Sequence, residues 1–354
     1  MDFIEGVCLN DVFGGGHSRL LKEEIPETNI EYVYRQMANI MLQIFEINFD
    51  RIGNLPTRKT RFAAPSRPLT WKAHEILRVG DVNTFALGVW AHDLQSTRKY
   101  VEYVNNQDWQ QLLCQPNSIA GPLSSRSRYA ELNILKSLIP ESTNTTYDRG
   151  PFKLIRDDFG MANVIVRSKD DLTIAGVVDI EWVYAGPAQL FGSAPWWLLL
   201  DRPVNDEWDF EAGEAPKATD RYFKCLEVFI RVLEEEETRM KESGQRELTE
   251  LVKWSRDEGA MWLHMLLSSG FFDDLTFPCM QLRNYKGAQW WDQCMKEYGH
   301  TEEVEKFVVD KMKDLAAYDE IKEKVEHHKV LMDNKEISAE DFISSVLSIL
   351  GPAE

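Results

Sequence analysis

The chain has 354 residues, 44% hydrophobic and 11% aromatic, enough apolar material for one large core or two modest ones and too much for a disordered chain. Its formal net charge of −18 repels nucleic-acid backbones and anionic membranes, and its five scattered cysteines hold no CxxC pair to frame a disulfide or zinc site. The start is acidic and no apolar run approaches the length of a membrane span, so neither a signal peptide nor a span is expected, and the expected location is cytoplasmic.

Residues 1–13 read as a short extended piece, followed by a mobile loop at Gly14, Gly15 and Gly16. A helix is expected next, capped by Thr28, with Ile30, Val33, Met37, Ile40, Met41 and Ile44 at helical spacing. Phe49 to Pro68 is turn-rich and reads as a loop. Residues 81–115 read as helical in part, carrying Trp90, Tyr100, Tyr103 and Trp109, and Arg126 to Pro140 reads as a helix ended by its proline. After residue 215 helix is expected over 216–241, 246–269, 302–328 and 338–350, with the acidic run Glu234–Glu237 on a solvated face.

The strand signal is concentrated between Phe152 and Trp182. "NVIVRS" and "TIAGVVDIEW" are rich in β-branched residues, and Lys169–Asp171 is a turn signal between them. A turn centred near Asp171 gives cross-strand partners whose numbers sum to about 342, which places Asn163 opposite Asp179. Asp158 lies five residues before Asn163, on the loop into the first strand, so all three polar groups are expected at one end of the hairpin. Each alone is a common turn residue. Together they offer two oxygen ligands for a hard cation such as Mg²⁺ and a carboxylate placed to act as a base.

The segments "RDDFGMAN" and "GVVDIEW" resemble the catalytic loop and metal-binding segment of the aminoglycoside phosphotransferase and choline kinase-like family, a branch of the protein-kinase-like fold. That family shows an H-G-D-x₄-N loop followed by a strand pair ending in I-D-W-E or similar. The likeness extends to "MDFIEGVCL" as a hinge strand, to "ANIMLQIFEINFDRIGNL", and to "YAGPAQLFGSAPWWLLLDRP", "WSRDEGAMWLHMLL" and "FVVDKMKDLAAY". It implies an α+β, mainly helical fold, a protein-kinase-like C-lobe with a small β-hairpin at the catalytic site. The implied single domain covers 1–354, with 1–16 hinge-like, 152–182 as catalytic loop and metal hairpin, and 302–354 as C-terminal helices. The resemblance further implies Asp158 as base, Asn163 and Asp179 as magnesium ligands, and Mg and ATP as cofactors. Arg156 stands where the family has a loop-bracing His. Glu181 falls in the pocket or behind it, and Trp182, Tyr184, Trp196 and Trp197 supply aromatic surface suited to a flat hydrophobic or cationic ligand.

If residues 1–16 are the hinge, the lobe that precedes it in the family is expected to be lacking. Gly14–Gly16 is followed by "HSRLL" and not by a strand, and Lys22, Lys59, Lys72, Lys99, Lys136 and Lys153 precede Asp158 without a V-A-x-K setting. Three readings follow. The first is a small-molecule phosphotransferase. The second is a kinase-derived enzyme of secondary metabolism that uses Asp158 and Asp179 as an acid/base pair, to isomerise, cyclise or dehydrate a natural-product-like substrate. The third is a non-catalytic binding module. The expected partner is a small molecule, with neither nucleic acid nor membrane, and with self-association through an exposed hinge face.

Overall fold

The computed structural model describes residues 3–15, 18–55, 68, 70–79, 82, 94–193, 195–200, 208, 216–240, 245–268, 272 and 276–351. Gly16, Lys59, Trp90 and most of the loop expected over 49–68 lie outside them. The fold is α+β and mainly helical, with small antiparallel sheets. The span 1–354 comprises two compact units: residues 1–108 with 135–291, and residues 109–134 with 292–354.

In the larger unit, the piece expected to be extended over 1–13 turns helical at α1 (Leu9–Phe13), and α2 (Glu27–Phe45) lies along α6 (Thr219–Met240). The i, i+3, i+4 recurrence of Ile30, Val33, Met37 and Met41 forms the buried stripe of α2, and α6 answers with Tyr222, Leu226, Phe229 and Leu233. Tyr34 stands edge-on to Phe229 and Trp197, with centroids 6.3 and 5.5 Å away. Along the rim Arg35 reaches Glu31, Glu235 and Glu236 at 2.6–2.9 Å. The helix begins at Glu27 with Pro26 in the capping position, two residues earlier than a Thr28 cap allows. The run Glu234–Glu237 is not wholly a solvated face. The buried Glu237 carboxylate accepts from Leu248 N and Thr249 N, closing the start of α7 (Glu247–Asp257).

The helix expected over 246–269 is two helices, α7 and α8 (Ala260–Ser268). They part at Gly259, whose φ of +70° is open to glycine and strained for other residues. Three helices were not legible: α3 (Trp71–Val79), α9 (Phe277–Lys286) and α10 (Ala288–Gly299). Between α3 and α9 the chain also forms α4 (Thr97–Cys114) and α5 (Pro122–Leu138). Trp208, Tyr222, Phe223, Trp262 and Phe277 make a second aromatic cluster under α9.

The hairpin does not stand alone. β1 (Val7–Cys8) pairs antiparallel with β7 (Val164–Val166), which pairs with β8 (Ile174–Val177). Beside it a four-stranded antiparallel sheet runs in the order β4 (Asn48–Phe49), β6 (Phe152–Arg156), β9 (Val183–Gly186), β5 (Gly53–Asn54). The third strand, β1, supplies what a lone two-stranded hairpin lacks. Gly14–Gly15, as β2, pair antiparallel with Ser18–Leu21, as β3, so a strand does follow these two glycines.

In the smaller unit Tyr129 meets Trp109 edge-on and Phe307 at a tilt, with centroids 5.0 and 5.1 Å away, and Lys311 Nζ donates to Gln115 O at 2.7 Å. α11 (Glu302–Asp333) is capped by Thr301, and α12 (Ala339–Leu350) by a Ser338–Asp341 capping box.

Candidate functional site

β6 delivers the chain at Arg156 to a turn through Asp157 and Asp158. Asn163 Nδ2 then donates to Asp158 O and to Asp158 Oδ2, both at 3.0 Å. This closes the D-x₄-N loop upon itself and orients the Asp158 carboxylate. Arg156 Nη2 donates to the carbonyl oxygens of Val178 and Asp179, the second at 3.0 Å. One guanidinium thus ties the loop bearing Asp158 to the segment bearing Asp179. Burial lowers the Arg156 pKa, and the nearby charges of Asp158 and Asp179 work against that shift.

The pairing differs from the expected one by a residue. Val164 faces Val177, and Val178 N donates to Asn163 O at 2.9 Å, so Asn163 faces Val178 and Asp179 comes next. The turn closes earlier than Asp171 suggests, with Arg167 N bonding Thr173 O, and a bulge between Ile165 and Val166 restores only part of the offset. A one-residue slip inside a regular strand turns a side chain to the other face. Asp179 lies beyond the end of β8 with φ +56°, so strand alternation does not govern it. Asp179 and Glu181 are exposed, and Trp182 stacks at a tilt on His74, centroids 4.9 Å apart.

Opposite Asp158, the neighbouring Asp157 faces the interior. Its Oδ2 accepts from Trp71 N at 3.1 Å and its Oδ1 from Tyr184 Oη at 3.0 Å. Tyr184 Oη lies 2.8 Å from Tyr100 Oη. With the Tyr184 proton committed to Asp157, Tyr100 is the donor of that pair. Burial raises both phenol pKa values well above their usual range, and the Asp157 charge adds to it. These groups border a cavity of about 140 Å³, also lined by Arg156, Phe159, Trp196, Trp197, Lys72 and His264. Lys72 and Asp108 form a buried ion pair at 2.6 Å in its wall, with Lys72 Nζ also donating to Leu267 O.

The structure therefore brings Asp158, Asn163 and Arg156 together with the backbone of Asp179. Tyr184 stands on the cavity side, and Glu181 and Trp182 stand apart from the cavity. Sequence reasoning passed over Asp157 and His264. A lone histidine within "AMWLHMLL" marks a buried polar group and was there to be read, whereas Asp157 lies past the end of β6 and carries no such signal. As to metal, Asn163 and Asp179 offer an amide oxygen and a carboxylate, hard donors of the kind Mg²⁺ takes alongside waters and substrate phosphates. Among the described residues no group of three or more His, Cys, Asp or Glu gathers. No helix of the described residues is long and apolar enough to cross a membrane. No family model matches the chain, and no curated protein or solved structure is significantly similar to it.

Proposed function

We propose that this chain is a small-molecule phosphotransferase-like enzyme with a protein-kinase-like C-lobe architecture, working with Asp158 as base. The observation that supports it most directly is the pair of 3.0 Å bonds from Asn163 Nδ2 to Asp158, which hold the carboxylate on a closed loop. In this reading Asp158 orients and deprotonates the acceptor hydroxyl. Arg156 keeps the Asp158 and Asp179 segments in register through the Val178 and Asp179 carbonyls. Mg²⁺ bound with ATP would be held by Asn163 and Asp179, where it would neutralise phosphate charge.

The test is thermal. ATP with Mg²⁺ at about 100 times its dissociation constant stabilises by roughly 2.7 kcal/mol, a Tm rise of a few degrees. Asp179→Asn removes the shift. Asp158→Asn keeps it and abolishes transfer, because the base acts in the chemical step and scarcely in binding. A wild-type protein indifferent to millimolar ATP–Mg²⁺ rejects this reading.

A second reading, acid/base chemistry without nucleotide on a natural-product-like substrate, draws support from the aromatic cavity that Arg156, Asp157 and Phe159 border on either side of Asp158. It expects no ATP–Mg²⁺ shift, with turnover still lost in both variants.

A further inference from the structure

Arg156 carries more donors than its brace uses. A guanidinium is a planar fork of five N–H groups. Nη2 is spent on the Val178 and Asp179 carbonyls, and Nε is buried without a partner. Nη1 differs from both. None of the described residues takes its two N–H groups, and it is not buried. It is bonded to the same carbon as Nη2, so the 3.0 Å bond from Nη2 to Asp179 O holds it beside that residue. The group lies over the Phe159 ring, with Cζ 5.4 Å from the centroid. The charges of Asp158 and Asp179 both reach it. Two open, cationic N–H groups therefore stand by the carboxylate read as base and by the one read as metal ligand.

Phosphoryl transfer calls for positive charge at that place, the more so in a chain of net charge −18. The cations nearest along the strand and in the cavity wall are committed elsewhere. Lys153 Nζ donates to Asn48 Oδ1 at 2.7 Å, and Lys72 is paired with Asp108. In the transfer the acceptor oxygen forms its bond to phosphorus while the bond from phosphorus to the bridging oxygen breaks. The acceptor proton passes to Asp158, and the nucleoside diphosphate leaves with the electron pair of the broken bond. Charge is spread meanwhile over three equatorial oxygens. A fixed donor aimed at one of them is worth more in the transition state than before it.

We infer, on the phosphotransferase reading, that Arg156 is a catalytic residue whose Nη1 donates to an equatorial oxygen of the transferring phosphoryl group. One side chain then both braces the loop and meets the reacting atoms.

Arg156→Lys tests this, because an ammonium can still reach the two carbonyls and has no second nitrogen. The probe is ADP–Mg²⁺ with and without aluminium fluoride, a flat anion that takes the place of the transferring group. In titration calorimetry of the full chain, aluminium fluoride should tighten wild-type binding of ADP–Mg²⁺ about 100-fold, as a transition-state mimic does. Arg156→Lys should bind ADP–Mg²⁺ nearly as the wild type does and lose about tenfold or more of that gain. A residue that only braced the loop would weaken both complexes alike. A variant that keeps the full gain, or weakens both complexes equally, overturns the inference and leaves the phosphotransferase reading standing. A wild-type protein that binds no ADP–Mg²⁺ overturns both. Should the variant not fold, the wild-type protein labelled with ¹⁵N-arginine decides. The Arg156 Nη1 resonance should move when aluminium fluoride joins ADP–Mg²⁺, and a resonance indifferent to it overturns the assignment.

Discussion

Asp157 and Asp158 are adjacent in the chain and face opposite sides of it. Asp157 receives two donors, Trp71 N–H and Tyr184 O–H, in the interior. Asp158 receives the Asn163 amide on the other side, where its backbone oxygen shares that donor. Alanine at 157 strands the buried Tyr184 hydroxyl and the half-buried Trp71 N–H and should cost about 2–3 kcal/mol, whereas alanine at 158 should cost about 1 kcal/mol or less. Urea denaturation of the two variants checks this, and equal losses would contradict it. His264 makes stability depend on pH. Unfolded it titrates near 6.5 and folded at about 4, so the fold accepts the neutral ring and resists its protonation. The contribution is full above the unfolded value and is lost as pH falls from 6.5 towards 4, about 3 kcal/mol in all. His264→Phe should flatten that part of the stability curve, measured as denaturation midpoint against pH.

At the scale of elements, two glycines set how closely the chain folds on itself. Gly259 separates α7 from α8 with a left-handed φ, and a Cβ there would lie 2.4 Å from the Tyr285 ring. Gly259→Ala combines backbone strain with a clash and should cost about 2 kcal/mol or more, read from the denaturation midpoint. At Gly160 a Cβ would lie 2.2 Å from Trp196, so alanine there pushes on a wall of the cavity. These two positions also show what was legible. α2 and α6 were, because an apolar stripe of period 3.6 survives in the sequence. The break at Gly259 was not, because "DEGAMWLHML" keeps its apolar density across it and one glycine is compatible with a continuous helix. α9 is short and mixes aromatic and polar residues, whereas α10 is as amphipathic as α2 and its period was passed over. In the candidate site the D-x₄-N spacing and the strand pair were legible. The one-residue offset of Asn163 was not, since a bulge adds a residue without altering residue types. Asp157's inward role depends on Trp71 and Tyr184, which reach it from distant segments.

For the whole molecule, burial is unevenly shared. In the larger unit α2 and α6 bury stripes of large side chains, while α12 buries none and α11 buries nothing beyond Lys311. Exposed backbone with few packed side chains opens at low free energy. Amide hydrogen exchange should therefore be faster over 312–350 than over 30–42 and 222–236, by orders of magnitude at the centres of the helices. Equal protection would show that something covers α11 and α12 in solution. Such a cover has surface to work with, since Ile343, Leu347 and Leu350 are each more than half exposed.

The left-handed backbone at Asp179 narrows the paths by which this chain can change. Only glycine, and to a lesser degree asparagine and aspartate, occupy that conformation readily. Most single substitutions there confound two losses, the carboxylate and the turn that Arg156 grips through its carbonyl. A descendant without the negative charge would find asparagine and glycine open to it at little conformational cost, and other residues at more, although Leu200 and Lys335 hold positive φ in this same chain. Position 179 is thus a record with a short alphabet. The letter standing there reports on charge, because backbone geometry has already excluded most of the alternatives that would report on anything else.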